Sequence, residues 1–435
     1  MADGAAARTV ERALAAIAAH NGALRAITHY DPSNAGTRAA LIDAAPGEMP
    51  LLGLSFVAKD LIDVAGLPTS CGSGLFDTSP AAHDAVCILA LQKAGAVVMG
   101  KSNMHELAVG SAQNPWFGQV VNPLSARHGT GGTSSGTAAA VAAGLCDFGL
   151  GTDSGGSNRS TAAATGLFGL KPTNGLLALE GVRPVAPTLD TVGVLARDAA
   201  TLARGFSALS GTPHTPGDTT LEGRVIGLPA GLYGQVDSAV QEAFDLACQA
   251  IQLNGGRVID FAIDDADALS RAGKHILQYE FVRHHGAAIE ARPERVGVEI
   301  LAFTASAKAV SARHYEEALA LVESHRAVWA RRMADIDALL APVAPGLAPR
   351  LADEHTRVAG HWVPYGAAGA QFRMWANTIG LPAIAIPVAR PGGLPASVQL
   401  VARPLADGFL IGLAAALGRE MQKPLAATTN KGVSR

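Results

Sequence analysis

Cysteine is scarce in this chain: four in 435 residues, at Cys71, Cys87, Cys146 and Cys248, with no CxxC pair. That spacing excludes a disulfide framework or a zinc ribbon and leaves them as small buried hydrophobes. Aromatics make up only 5% and charged residues 16%, and net charge is −3 with no acidic or basic run. A phosphate-binding surface for nucleic acid or a basic face for membranes would need such a run. The thirteen histidines include no HExxH or similar ligand spacing, so neither metal nor cofactor is expected. The N-terminal stretch is interrupted by Glu11 and Arg12 and lacks a signal-peptide core. The longest small-apolar run, Ala138 to Gly151, is broken by Asp147 and is too short to span a bilayer. A cytoplasmic location is expected.

Glycine is abundant, at 49 residues, in a chain that is 49% hydrophobic, a composition suited to a tightly packed α/β protein. Short apolar runs alternate with helical patterns, which implies a sheet covered on both faces. Val10 to Ile17, Asp84 to Ala94, Ala239 to Leu253 and Tyr315 to Met333 read as helices. Leu51 to Ala58, Ala96 to Gly100, Arg224 to Leu228, Val258 to Phe261, Leu339 to Pro342 and Leu381 to Val388 read as strands. The Gly-, Pro- and Thr-rich run Ser210 to Thr220 is the best linker or insertion boundary.

The densest chemistry lies between Gly131 and Thr173. Two hydroxyl-bearing glycine turns, Gly131-Gly-Thr-Ser-Ser-Gly136 and Asp153-Ser-Gly-Gly-Ser157, flank a small-residue segment that suits a helix or a strand. Such turns suit either a serine nucleophile with converging backbone N–H groups or a phosphate cradle. A base decides between them. Lys59 ends the apolar run Gly53-Leu-Ser-Phe-Val-Ala-Lys59, where it is either a strand-end lysine reaching solvent or a desolvated lysine held neutral.

With these residues in place the chain resembles the amidase signature family, hydrolases with a Ser–cis-Ser–Lys triad. Gly53 to Ser73 resembles the family's lysine motif and Lys101 to Gly110 the strand and loop that follow it. Gly131 to Thr173 resembles the signature, while Asp190 to Gly193, Leu339 to Pro342, Asn377 to Pro387 and Leu394 to Pro404 resemble later landmarks. The resemblance implies one large α/β/α domain over residues 1–435, with a twisted, mixed, mainly parallel central sheet; the 210–220 run is then a loop between halves.

It also implies Ser157 as nucleophile, Lys59 as base, and backbone N–H groups of Ser154, Gly155, Gly156 and Ser157 as the oxyanion hole. The family's bridging serine is replaced here by Thr133, with Ser134 as the alternative if the turn slips by one residue. A cis peptide before the bridging residue is the family pattern. By the same resemblance Ala108, Val109, Gly110, Trp116, Phe117 and Trp375 border the pocket, and Arg159 is structural or meets a substrate carboxylate. Ser55, Asn158 and Thr161 depart from usual proline or apolar positions and suggest an unusual, polar pocket.

The activity implied is hydrolysis of a C–N bond in a small amide, carbamate or urea-type compound, without a cofactor, and not of peptide bonds. Two alternatives stand beside it. One is an amidotransferase subunit that releases ammonia for a partner; the other is a degenerate amidase fold that binds without turnover. The expected partner is the small-molecule substrate, with a homodimer possible and no direct contact to nucleic acid or membrane.

Overall fold

The structure is a computed structural model describing residues 4–45, 47–215, 217, 219–229, 236–390 and 392–422. The described residues form thirteen strands: β1 Ile27–His29, β2 Ser55–Lys59, β3 Val97–Ser102, β4 Phe148–Thr152, β5 Phe168–Lys171, β6 Val192–Ala196, β7 Val225–Pro229, β8 Arg257–Phe261, β9 Ala338–Pro342, β10 His355–Val358, β11 His361–Pro364, β12 Ala383–Val388 and β13 Ala396–Val401. The helices are α1 Ala5–Leu24, α2 Pro32–Ala44, α3 Val86–Lys93, α4 Ser135–Ala142, α5 Ser157–Thr165, α6 Ala199–Ser210, α7 Ser238–Leu253, α8 Ala266–Ala291, α9 Val298–Ala307, α10 Ala312–Arg332, α11 Tyr365–Ile379 and α12 Asp407–Met421. The elements read from sequence are all present, with ends shifted by a few residues, most for α1 and β2.

Eleven strands form one mixed sheet in the order β1-β3-β2-β4-β6-β5-β12-β13-β9-β7-β8. Parallel pairing holds the trios β3-β2-β4 and β9-β7-β8, and antiparallel pairing joins them through the middle. The remaining pair, β10 and β11, is a separate hairpin. The 210–220 run leads from α6 to β7, and strands on its two sides share the sheet through β5–β12.

Alternating side chains send Phe56, Ala58, Phe148 and Leu150 to one face, where α3, α6, α7 and α12 cover them. Val57, Val97 and Leu195 point to the other face, under α1, α2, α4 and α5. Toward the β9 end, α10 and α11 continue that second layer over Leu339 and Val401. The result is three layers with a sheet buried on both sides.

The small residues between the two glycine turns form α4 and β4. All of α4 from Ser135 to Val141 is buried. A Cβ at Gly136 would fall 2.3 Å from Ala26 O and 2.5 Å from Asn103 N, so only glycine lets α4 approach so closely. Gly149 and Gly151 on β4 do the same for Thr137 and Asn158, where a Cβ would sit 2.4 Å and 2.1 Å away. This close packing sets one hydroxyl turn before α4 beside the other, between β4 and α5.

Candidate active site

Lys59 is the last residue of β2, a strand buried at all five positions, and its own side chain is fully inaccessible. Its Nζ donates to Thr133 Oγ1 at 2.8 Å and to Thr152 Oγ1 at 2.9 Å, and Thr133 Oγ1 lies 2.8 Å from Ser157 Oγ. Burial lowers the Lys59 pKa from 10.5 to about 7 against the pull of Asp153 and Asp190. The lysine is therefore divided between neutral and charged forms near neutral pH. Thr133 and Ser157 are half-buried, so the chain of polar groups runs from the interior toward open space.

Ser157 is the first residue of α5, and Gly156 before it is left-handed at φ 115°. The fully buried Asp153 holds this turn: it accepts from Gly156 N at 2.7 Å, Arg159 Nε at 3.1 Å and Asn377 Nδ2 at 2.8 Å. Burial alone would raise the Asp153 pKa, but the Arg159 guanidinium outweighs it and keeps the carboxylate ionised. Ser154 Oγ donates to Asp190, which also accepts from Val185 N at 2.8 Å and Ala186 N at 3.0 Å. Burial raises the Asp190 pKa, opposed by these three donors. Because the Gly156 N–H is spent on Asp153, the open donors in this turn are the amides of Ser154, Gly155 and Ser157. None of these has a protein acceptor among the described residues.

Ser134 lies apart from this chain. It is buried, and its hydroxyl donates to Thr152 O at 3.1 Å or Asn158 Oδ1 at 2.9 Å. Thr133 is thus the residue that spans Lys59 and Ser157. Among the described residues no peptide bond is cis, so Thr133 follows Gly132 through a trans bond, unlike the expected pattern.

The outer residues divide sharply. Arg159 is fully buried and bonded to Asp153, Gln399 and Asn377, so its guanidinium faces the interior. Trp375 is likewise in the core, stacked on Trp329 at 5.1 Å between ring centroids. Phe117 packs edge-on against His29. Half-exposed Trp116 donates Nε1 to Glu106 at 2.9 Å.

Ala108 and Val109 rest on a cluster containing Leu61, Phe281 and Ile300. Leu107 and Ala108 are both left-handed, at φ 50° and 57°, a conformation costing about 1–2 kcal/mol per non-glycine residue. The loop is held there by His105, whose Nδ1 lies 2.9 Å from Gly110 O and whose N–H donates to Thr133 O at 3.4 Å. Burial lowers the His105 pKa to about 4, so the ring stays neutral.

The three departures flanking the motifs are structural. Ser55 bonds Asp147 at 2.9 Å, Asn158 accepts from Ser134, and Thr161 donates to Ser157 O at 2.8 Å. All three are at most 1% exposed, so they do not make the pocket polar. Thr152, Asp153 and Asp190 went unassigned in the sequence. The first two sit inside the signature, and only their carboxylate and hydroxyl letters beside the nucleophile turn signalled them.

Two letter patterns point elsewhere and are removed by geometry. Gly95 to Ser102 has the GxxxxGK[ST] spacing of a phosphate loop, but Val97 to Ser102 is buried strand β3 and Lys101 pairs with Asp60 at 2.8 Å. Gly132-Thr-Ser134-Ser-Gly136 has the spacing of a nucleophile elbow, yet Ser134 is the engaged, buried residue described above. A cavity of about 570 Å³ is lined by Gln119, Arg127, His128, Arg350, Leu351, Ala352 and Trp362, none of them in this site. Among the described residues no cluster of His, Cys, Asp or Glu is arranged to hold a metal ion. No helix among them is long and apolar enough to cross a membrane.

A broad mixed sheet with a lysine, a bridging hydroxyl and a serine at adjoining glycine turns defines an amidase-type α/β fold. A family model described as Amidase matches residues 8–411, and the chain belongs to that family, the amidase signature enzymes. It is 30% identical over 405 residues to the A-type component of the glutamyl-tRNA(Gln) amidotransferase of Symbiobacterium thermophilum, covering 84% of this chain and 82% of that one. Among solved structures, a protein described simply as an amidase superposes with a TM-score of 0.87 at 28% identity, over 94% of this chain and 95% of the other. The peptide amidase of Stenotrophomonas maltophilia superposes with a TM-score of 0.80 at 26% identity, over 96% and 93%.

Proposed function

We propose that this amidase-family chain hydrolyses a C–N bond in a small amide, carbamate or urea-type substrate through an acyl-enzyme on Ser157. The observation that carries the reading is the unbroken run Ser157 Oγ–Thr133 Oγ1–Lys59 Nζ, each step 2.8 Å, ending on a lysine that is half neutral near pH 7. With Lys59 neutral, the two hydroxyls rotate so that Ser157 donates to Thr133 and Thr133 to Nζ. Ser157 Oγ then bonds to the carbonyl carbon while its proton passes to Thr133, whose own proton passes to Lys59. The carbonyl π electrons move to oxygen, where free amides of the nucleophile turn meet the developing charge; such donors lower a barrier by about 3–4 kcal/mol each.

Collapse of the tetrahedral adduct breaks the C–N bond, and the leaving nitrogen takes the proton from Lys59 through Thr133. Water then attacks the ester by the same route, restoring Ser157 and releasing the acid. A small fluorophosphonate is expected to add once, at Ser157, with ammonia release from small amides abolished in Ser157→Ala. Peptide mass spectrometry reads the adduct. A folded protein that takes up no label would rule out the activated serine.

A second reading has support in the names of the curated relatives, several of which are A-type components of amidotransferases. It keeps the same chemistry but passes ammonia to a partner. Co-purification with further subunits, together with weak amidase activity of the isolated chain, would select it.

A further inference from the structure

Most buried cations in this protein are compensated. Lys101 pairs with Asp60 and Arg159 with Asp153, while burial brings Lys59 and Lys171 down to about 7 so that each sheds its charge readily. Arg373 on α11 is different. It is 4% exposed, its Nη1 donates to Val343 O at 2.6 Å, its Nε has no acceptor, and it makes no ion pair among the described residues. Burial lowers its pKa only to about 10, so it remains a cation at neutral pH. Asp153 attracts it without bonding it, and a buried cation that lacks an ion pair costs several kcal/mol, which a fold retains where something else supplies the anion.

Its position says where that anion would come from. A Cβ at Gly156, the residue before Ser157, would lie 2.2 Å from Arg373 Nε, so the guanidinium rests on the nucleophile turn itself. The rest of α11 follows the same line. Met374 Sδ would be 3.2 Å from a Cβ at Gly155, and Tyr365 Cε1 2.8 Å from one at Gly131, in the Thr133 turn. Glycines in both hydroxyl turns make room for this helix. With Nη1 held by Val343 and Nε covered by Gly156, Nη2 is the nitrogen left without a protein partner, and a guanidinium N–H makes a strong, charge-assisted bond to a carboxylate.

We propose that Arg373 selects substrates whose acyl part carries a carboxylate, making the preferred substrates short monoamides or carbamoyl compounds of a second acid group. This rests on Ser157 being the nucleophile. Proximity of the guanidinium to Gly156 limits the spacer to a few atoms between the carboxylate and the scissile carbonyl. The carboxylate supplies the missing counter-charge and fixes the carbonyl over the Ser157 hydroxyl.

Binding and turnover test the two layers separately. Calorimetry on Ser157→Ala protein would compare malonamate, succinamate and glutaramate with their neutral isosteres, propanamide, butanamide and pentanamide. At least one carboxylate amide is expected to bind about 100-fold more tightly than its isostere, as for a site built around a charged partner. Arg373→Met, checked for folding by circular dichroism, is expected to bring that ratio to near one. Equal binding within every pair, or a preference that survives in folded Arg373→Met, overturns the proposal. Should that variant not fold, the wild-type ratio and its partial retention in Arg373→Lys decide instead. Ammonia release by unmutated protein is read in parallel. Turnover of neutral amides without carboxylate preference defeats this proposal alone, whereas carboxylate-selective binding without any turnover defeats the hydrolase reading alone.

Discussion

Lys59→Met is expected to lower kcat/KM for amide hydrolysis by about three orders of magnitude, close to 4 kcal/mol of lost transition-state stabilisation. Methionine fills the same volume in the buried strand end, so the fold is retained, but no atom remains to accept the proton that Thr133 relays. The pH profile provides an independent check. In the proposed mechanism only neutral Lys59 acts as the base, and burial lowers its pKa to about 7. For the unmutated protein kcat/KM should therefore rise with pH, reach half its limit near pH 7 and level off above it. A profile flat from pH 5 to 9 would remove lysine from the role of base. Thr133→Ser should keep the relay and Thr133→Val should break it by about 100-fold in stopped-time assays, because only the hydroxyl both accepts and donates.

Asp153→Ala should have the largest effect on stability. It removes the acceptor for Arg159, Gly156 N and Asn377 at once and leaves the fully buried Arg159 without its counter-ion. Breaking one side of such a pair costs about 3–5 kcal/mol, a large share of the 5–15 kcal/mol that holds a typical domain. Urea denaturation should show the midpoint falling while the slope stays the same. Activity should fall too, since Gly156 loses the bond that holds its left-handed turn in front of Ser157. A stability within about 1 kcal/mol of the parent would mean that Arg159 finds another anion.

Much of this was legible in the chain because the key residues sit in short motifs at fixed offsets from glycine turns. Lys59, Thr133 and Ser157 could be placed by letters alone, and the alternation of apolar runs with helical patterns gave the layers. The pairing of β5 with β12 could not be read, since nothing local tells a strand at Phe168 that its neighbour begins at Ala383. Side-chain direction on helices was equally hidden. Trp375 and Arg373 stand two positions apart on α11, yet the indole is sunk against Trp329 and the guanidinium reaches the nucleophile turn. The indole drew attention as an aromatic, whereas the arginine lay in no recognised motif. Spacing leaves open whether Thr133 or Ser134 lies between Lys59 and Ser157; the hydrogen-bond register puts Thr133 there, and Asp153 takes the Gly156 N–H.

The cage around Asp153 and Arg159 also bears on synthesis. Lys59, Thr133 and Ser157 all leave the ribosome within the first part of the chain, but Arg159 is bonded by Asn377 and Gln399, 218 and 240 residues later. A nascent chain therefore carries every proposed reacting group long before it owns the groups that brace Asp153 and Arg159. The strand that closes the middle of the sheet, β12, arrives just after Asn377. On the proposed mechanism, competence for chemistry is in this sense assigned to late translation, and a truncated product would carry Ser157 without the frame that aims it.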